Sequence, residues 1–132
     1  METLKKISMP KDFGWLPPHG KLELLRQMME KNDFSGLPAY VWEKDGGIVG
    51  IAVVDPDGYT FFSKLWCLEV APEYRNRGIG SRLVRQVLEE YDEVKLVGMR
   101  EAFGFYRRNG FVFESGEEPD PKSNVGYMIS KA

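Results

Sequence analysis

The stretch from Leu68 to Ser81, LEVAPEYRNRGIGS, constrains the fold more than any other part of the 132-residue chain. An apolar run ends at Pro72 and a short polar loop follows. From Gly80 onward Leu83, Val84, Val87, Leu88 and Tyr91 recur at helical intervals, with Arg82, Arg85, Gln86, Glu89 and Glu90 on the opposite face. A buried strand therefore passes directly into an amphipathic helix. The connecting turn is Arg75-Asn76-Arg77-Gly78-Ile79-Gly80. At a helix start the first backbone N–H groups lack intrahelical partners and the dipole is positive. Gly78 and Gly80 let a bulky anion approach the backbone and accept unusual φ angles. Arg75 and Arg77 add full charge, so the turn suits a pyrophosphate; the competing reading is a surface turn with solvated arginines.

The flanking sequence predicts a mixed α/β sheet with helices packed on it, antiparallel in its first half. Lys21 to Lys31 carries Leu22, Leu25, Met28 and Met29 at helical spacing and stops at Asn32-Asp33. Ala39 to Glu43 and Ile48 to Val54 flank Asp45-Gly46-Gly47, the signature of a tight hairpin. After the turn Asp55-Pro56-Asp57-Gly58, the aromatic-rich run Tyr59 to Val70 reads as one long buried strand. Val94 to Val97 is a further strand, Glu101 to Asn109 a short helix closed by Gly110, and Phe111–Phe113 and Gly126–Ser130 two last strands. No repeat or low-complexity linker interrupts this order, so residues 1–132 are expected to form a single domain.

Composition removes several function classes. Cys67 is the only cysteine and His19 the only histidine. An internal disulfide and a thiolate zinc cluster are excluded, a metal site or Ser-His-Asp triad would have to be built around His19, and a cytoplasmic setting is the expectation. A net charge of −2 argues against a protein built to hold nucleic acid. No apolar run approaches the ~20 residues that cross a bilayer, and the N-terminal stretch METLKKISMPKDFGWLPPHG reads as neither signal nor anchor. Four arginines at 75, 77, 82 and 85 make one locally basic stretch, which fits a small anionic ligand.

Two familiar phosphate motifs are absent: there is no Gly-x-x-x-x-Gly-Lys-Ser/Thr, and Leu83 stands where the dinucleotide fingerprint needs a third glycine. The longer pattern, Leu-x-Val-x-Pro-x-x-Arg-x-x-Gly-x-Gly over residues 68–80, resembles the acetyl-CoA signature of the GNAT superfamily of N-acetyltransferases. Downstream, Ala102-Phe103-Gly104-Phe105-Tyr106-Arg107-Arg108-Asn109-Gly110-Phe111 resembles that family's Ala-x-x-x-Tyr-x-x-x-Gly-Phe motif. The resemblance covers about residues 36 to 130. It implies a parallel strand pair around acetyl-CoA and acetyl transfer to an amine by direct attack, with no metal. Leu68, Glu69 and Val70 would pair with the pantetheine arm like an added strand, and backbone N–H groups across Arg75, Asn76, Arg77, Gly78, Ile79, Gly80 and Ser81 would hold the pyrophosphate. Tyr106 falls where the family places the tyrosine that protonates the leaving thiolate. Where many relatives carry an Asn that contacts the cofactor arm, this chain has Met99. Homodimerisation is common in that family, and no residue here fixes it.

The chemistry sets further expectations. A lysine-like amine is neutral in only about one molecule in ~10³ at pH 7, a cost near ~4 kcal/mol, so a base or a water chain is needed. Glu69 is the first candidate; the bland alternative is a solvated strand carboxylate. Cys67 reads as a buried small side chain rather than a nucleophile. Tyr106 is either the acid or a core aromatic beside Phe103 and Phe105. Arg82 and Arg85 read as a solvated helix face, and the acidic loop Glu114 to Asp120 either attracts a cationic amine or is only solvated. The acceptor, small molecule or peptide, is not legible. A CoA-binding module without catalysis and a protein-interaction domain of the same fold are the alternatives.

Overall fold

A computed structural model describes residues 2–11, 22–59 and 61–131. His19 and Lys21 lie outside the described residues. Among the described residues seven strands form one sheet in the order β1-β2-β3-β4-β5-β7-β6, with β1 Glu2–Ser8, β2 Pro38–Lys44, β3 Gly47–Asp55, β4 Ser63–Val70, β5 Val94–Met99, β6 Phe111–Phe113 and β7 Val125–Ser130. All neighbours are antiparallel except β4 and β5. Helix α1, Glu23–Lys31, packs on one face; α2, Ile79–Glu90, and α3, Phe103–Arg108, pack on the other. No helix among the described residues is long and apolar enough to cross a membrane.

The hairpin between β2 and β3 turns on Asp45 and Gly46, both at positive φ, 54° and 79°. Such a two-residue primed turn matches the twist of the paired strands. Leu22 and Leu25 are almost fully buried beneath α1, and Asn32 ends that helix by donating its side-chain Nδ2 to the Met28 carbonyl at 3.0 Å. On the other face Leu83, Val84 and Val87 of α2 are buried against β2 and β3. Gly110 caps α3 at φ 95°.

Three local features depart from the sequence expectations. Tyr59 and Phe62 exchange main-chain hydrogen bonds of 3.1 and 3.4 Å, and β4 begins only at Ser63. Phe61 is 85% exposed, and its aromatic character marks no buried strand. The N-terminal segment contributes an edge strand, β1, paired with β2 from Glu2 to Ser8. Its lysines form surface ion pairs, Lys5 with Glu43 and Lys6 with Glu90, which blunt an otherwise open edge. Finally, β7 inserts between β5 and β6, so the last strand in sequence is an inner one.

Candidate active site

The parallel pair between β4 and β5 is short. Only Ser63 with Val94 and Lys64 with Lys95 are in register. Immediately afterwards β4 carries a bulge: Val54 pairs with Leu65 and Val53 with Cys67, which leaves Trp66 as the extra residue. A bulge bends its strand and strengthens the twist. Beyond it the two strands run apart, and the β4 edge from Cys67 to Val70 faces an open fork.

Main-chain directions along that edge follow from one hydrogen bond. The Ala71 N–H donates to Val49 O on β3 at 2.8 Å. Since direction alternates with period two, Glu69 also faces β3, while Leu68 and Val70 turn their N–H and C=O groups into the fork. The Val70 carbonyl accepts from Arg75 Nε at 2.9 Å, as an outward-facing oxygen should.

At the end of β4 the chain turns through Pro72–Tyr74 and enters α2. Asn76 and Gly78 both have positive φ, 63° and 82°, and Gly78 is the N-cap of α2 without any side-chain cap. The first helical hydrogen bond runs from the Arg82 N–H to Gly78 O at 3.1 Å. The amides just before it have no helical partner, the feature that lets a helix start take an anion. Gly80 serves a different need: a Cβ there would lie 3.2 Å from Phe105 Cζ on α3.

These elements bound a cleft of about 550 Å³. Of the residues expected to hold a cofactor, Leu68, Val70, Arg75, Asn76, Gly78, Ile79, Gly80 and Ser81 line it. Arg77 does not; its guanidinium stacks on the Tyr74 ring at 5.3 Å, outside the cleft lining. Arg82 likewise rests on Trp42 at 5.5 Å. The opposite wall is Glu101, Ala102, Phe105 and Arg108; the last three stand in the second motif, which by itself gives them no part in holding a cofactor. The spacing of Phe105 and Arg108, three apart on α3, was the available signal.

Glu69 departs from its expected part. Its backbone faces β3, so it adds no main-chain group to the fork. Its carboxylate is turned to the α1 face and is buried. There Oε1 accepts the Leu25 N–H at 2.8 Å and Oε2 the Leu24 N–H at 3.0 Å. Helix α1 has no cap from its own N-cap residue, Leu22, so Glu69 caps it from the neighbouring strand. Cys67 is buried, and burial first, then the Glu69 charge, pushes its thiol well above the ordinary range, as befits an inert side chain.

Tyr106 lies within the fork. Its Cδ2 would be 3.4 Å from a Cβ at Gly98 of β5, and Phe105 and Phe111 hold the ring edge-on at 5.3 and 5.6 Å. Burial, and then the neighbouring Cys67 of β4, raise its phenol well above the ordinary value. The hydroxyl therefore stays protonated across the physiological range, and among the described residues it makes no hydrogen bond. Met99 is half exposed at the end of β5. The acidic loop is largely engaged locally: Glu114 pairs with Lys95, Glu118 lies 3.8 Å from Arg107, and Asp120 accepts the Lys122 N–H. Among the described residues no group of three His, Cys, Asp or Glu side chains is placed to hold a metal.

The family described as Acetyltransferase (GNAT) domain matches residues 36–113. No curated protein matches the sequence. Several solved structures share the fold. A GNAT family acetyltransferase from Elizabethkingia anophelis with acetyl-CoA bound is 16% identical, with TM-score 0.64 over 99% of this chain and 98% of that one. A nourseothricin acetyltransferase is 25% identical, TM-score 0.58, over 74% of this chain and 66% of its own. A Bacillus anthracis protein assigned as a streptothricin acetyltransferase, in complex with acetyl coenzyme A, is 19% identical, TM-score 0.60, over 73% of this chain. The present chain spans 62% of that protein's length. A forked parallel strand pair, a glycine turn at the start of α2 and a family match over more than half the sequence agree: this chain belongs to the GNAT acetyltransferase family.

Proposed function

We propose that this chain is an N-acetyltransferase that moves acetyl from acetyl-CoA to a primary amine by direct attack in a ternary complex, residues 1–132 acting as one domain. One observation carries the reading: a strand edge whose Leu68 and Val70 main chains turn away from β3 and a helix start whose first amides lack helical partners open into the same cleft. A pantetheine arm needs the first and a pyrophosphate the second, and the linear order from Leu68 to Ser81 matches the order of those groups along the donor. The E. anophelis and B. anthracis relatives, which hold acetyl-CoA, support the same donor.

Bound acetyl-CoA supplies an activated thioester carbonyl. In the fork, the N–H and C=O of Leu68 and the N–H of Val70 are offered to the arm, and the amides from Asn76 to Ser81 face the pyrophosphate. Arg75 adds charge, tethered to Val70 O through Nε with its terminal nitrogens left to the cleft. The acceptor enters from the α1 side, since α2, α3 and the donor fill the other. As the amine nitrogen bonds to the carbonyl carbon and the C–S bond breaks, Tyr106 Oη gives its proton to the leaving sulfur. Its raised pKa makes it a weak acid toward a thiolate of reference pKa about 8.5, so position rather than acidity carries the role. The carboxylate of Glu69 anchors α1, and the proton that the nitrogen loses after attack passes through water on the acceptor side and restores the Tyr106 phenol.

Amine-dependent thiol release from acetyl-CoA, with the acetylated product identified by mass, tests the reading. Tyr106→Phe keeps the ring packing and should slow turnover by about 10²–10⁴-fold with acetyl-CoA affinity unchanged. A rate within about threefold of wild type, when chemistry is limiting, removes Tyr106 from the mechanism. Tight acetyl-CoA binding without turnover on any amine would favour a CoA-binding module instead.

A further inference from the structure

The face of the sheet that carries α1 is covered over β4 and open beyond it. Glu69, whose carboxylate lies on that face, is opposite Ile51 on β3, and counting by twos along β3 reaches Asp55 and its partner Lys64. Lys64 pairs with Lys95, and counting by twos along β5 reaches Val97 and Met99. Their partners on β7, Tyr127 and Val125, share the same face. Helix α1 packs on β4 and leaves Val97, Met99 and Tyr127 exposed by 41%, 48% and 61%. These side chains form one apolar strip that starts at the fork end of β5. At its other end it meets Lys95, which is ion-paired with Glu114.

Between Val125, Tyr127 and the loop that follows β6 lies a cavity of about 390 Å³. Polar groups in its lining are already engaged. Ser123 Oγ donates to Val125 O at 2.7 Å, Ser115 Oγ donates to Glu117 O at 3.0 Å, and Glu114 holds Lys95. The remaining charge is the Glu117 carboxylate, which is exposed to water and there contributes little to binding. What the cavity offers a ligand is the Tyr127 ring, Val125 and Pro119. Its place relates it to the reaction. Behind Gly98, the residue between Val97 and Met99, stands Tyr106, whose Cδ2 would lie 3.4 Å from a Cβ there. The proton donor and the apolar strip therefore lie on opposite sides of β5, and Tyr127 is one strand spacing, about 5 Å, farther on. The exposed apolar area is on the order of a few hundred Å², against about 800 Å² that each partner of a stable dimer buries, so the occupant is small.

We propose that this strip and cavity hold an uncharged aromatic or branched apolar group of the acceptor, so that the enzyme's substrates are arylalkylamines and branched alkylamines with that group a few bonds from the nitrogen. The proposal rests on the acetyltransferase reading above. The apolar group stacks on the Tyr127 ring and covers Val97, which directs the amine at the fork.

Matched amines test this at saturating acetyl-CoA, with kcat/KM read from thiol release. Phenethylamine and isoamylamine are compared with diglycolamine, an uncharged-chain polar amine, and with putrescine and β-alanine. At least one apolar amine should exceed diglycolamine tenfold or more. Tyr127→Ser, at an exposed position, should cut that ratio tenfold or more through the apolar amine's KM, with the acetyl-CoA Kd unchanged. Val97→Asn should act in the same direction, and Tyr127→Phe should keep the preference. Equal or better use of diglycolamine, putrescine or β-alanine overturns the proposal, as does an equal loss on apolar and polar amines in both weakened variants. So does a dimer in sedimentation that Tyr127→Ser splits into monomers, since a second copy would then cover this face. Intact acetyl-CoA binding with no turnover of either apolar amine also overturns it. Failure to bind acetyl-CoA at all overturns the acetyltransferase reading itself, and this proposal with it.

Discussion

The carboxylate of Glu69 on β4 accepts the backbone N–H of Leu25 on α1 at 2.8 Å, a buried hydrogen bond across 44 residues of sequence. With the second bond to Leu24, it joins β4, the strand that borders the fork, to α1. Charge-assisted bonds to a helix start are stabilising, and removing the acceptor leaves amides unsatisfied. Glu69→Ala should therefore cost about 2–3 kcal/mol in denaturant unfolding, and Glu69→Gln, which keeps one acceptor oxygen, about 1 kcal/mol. The kcat of folded Glu69→Gln should stay within about threefold of wild type. A hundredfold fall would return the carboxylate to the role of general base.

Arg75 and Arg77 are alike in sequence and different in place. Arg75 lines the cleft, whereas Arg77 stacks on Tyr74 beside it. Arg75→Ala should weaken acetyl-CoA binding about tenfold to a hundredfold, the worth of one charge-assisted contact of about 1.5–3 kcal/mol. For Arg77→Ala the calorimetric Kd should move by less than about threefold. The reverse order would contradict the placement of the two side chains.

Gly78 and Gly80 should fail for separate reasons when enlarged. Gly78 has φ 82° in open space, so Gly78→Ala strains the backbone by about 1–2 kcal/mol without a clash. At Gly80 a side chain meets Phe105 at 3.2 Å, so Gly80→Val pushes α3 from α2 at the cleft. Both should lower acetyl-CoA affinity in a folded protein, Gly80→Val more severely. Wild-type affinity in folded Gly80→Val would dissociate this turn from donor binding.

Alkaline pH should destabilise the fold through Cys67 and then Tyr106. Burial raises both pKa values, so the unfolded chain loses each proton first. Stability is then full below the unfolded thiol pKa of about 8.5 and falls above it, by up to about 1.4 kcal/mol per pH unit for each group. Denaturant unfolding from pH 8 to 10 should show this decline, and Cys67→Ala should flatten it. An unchanged slope in Cys67→Ala would place the effect elsewhere.

Much of the architecture was readable because its cues are local. The Asp45-Gly46 turn, the apolar stripe of α2 and the Gly110 cap each state their own backbone conformation. What sequence did not disclose is long-range. The Leu4 and Ile7 spacing in β1 fits no two-residue alternation, and that strand exists because β2 supplies a partner. The aromatic residues before Ser63 read as a strand, yet Tyr59 and Phe62 bond to each other through their main chains and not to a neighbouring strand. Position 69 carried a carboxylate at a strand end, but only the arrival of α1, more than forty residues earlier in the chain, decides what those oxygens bind. In the candidate site, the turn from Arg75 to Ser81 was legible because one segment forms it. The far wall on α3 became visible only with the packing of Phe105 against Gly80.

Backbone amide exchange with and without acetyl-CoA tests the central claim most directly. Leu68 and Val70 face the fork, and the amides before Arg82 have no helical partner, so all exchange readily in the free protein. Saturating acetyl-CoA should slow exchange at residues 68, 70 and 76–81 by tenfold or more, while 125–130 on β7 stays unchanged. Binding that protects other segments and leaves these two as they were would contradict the account.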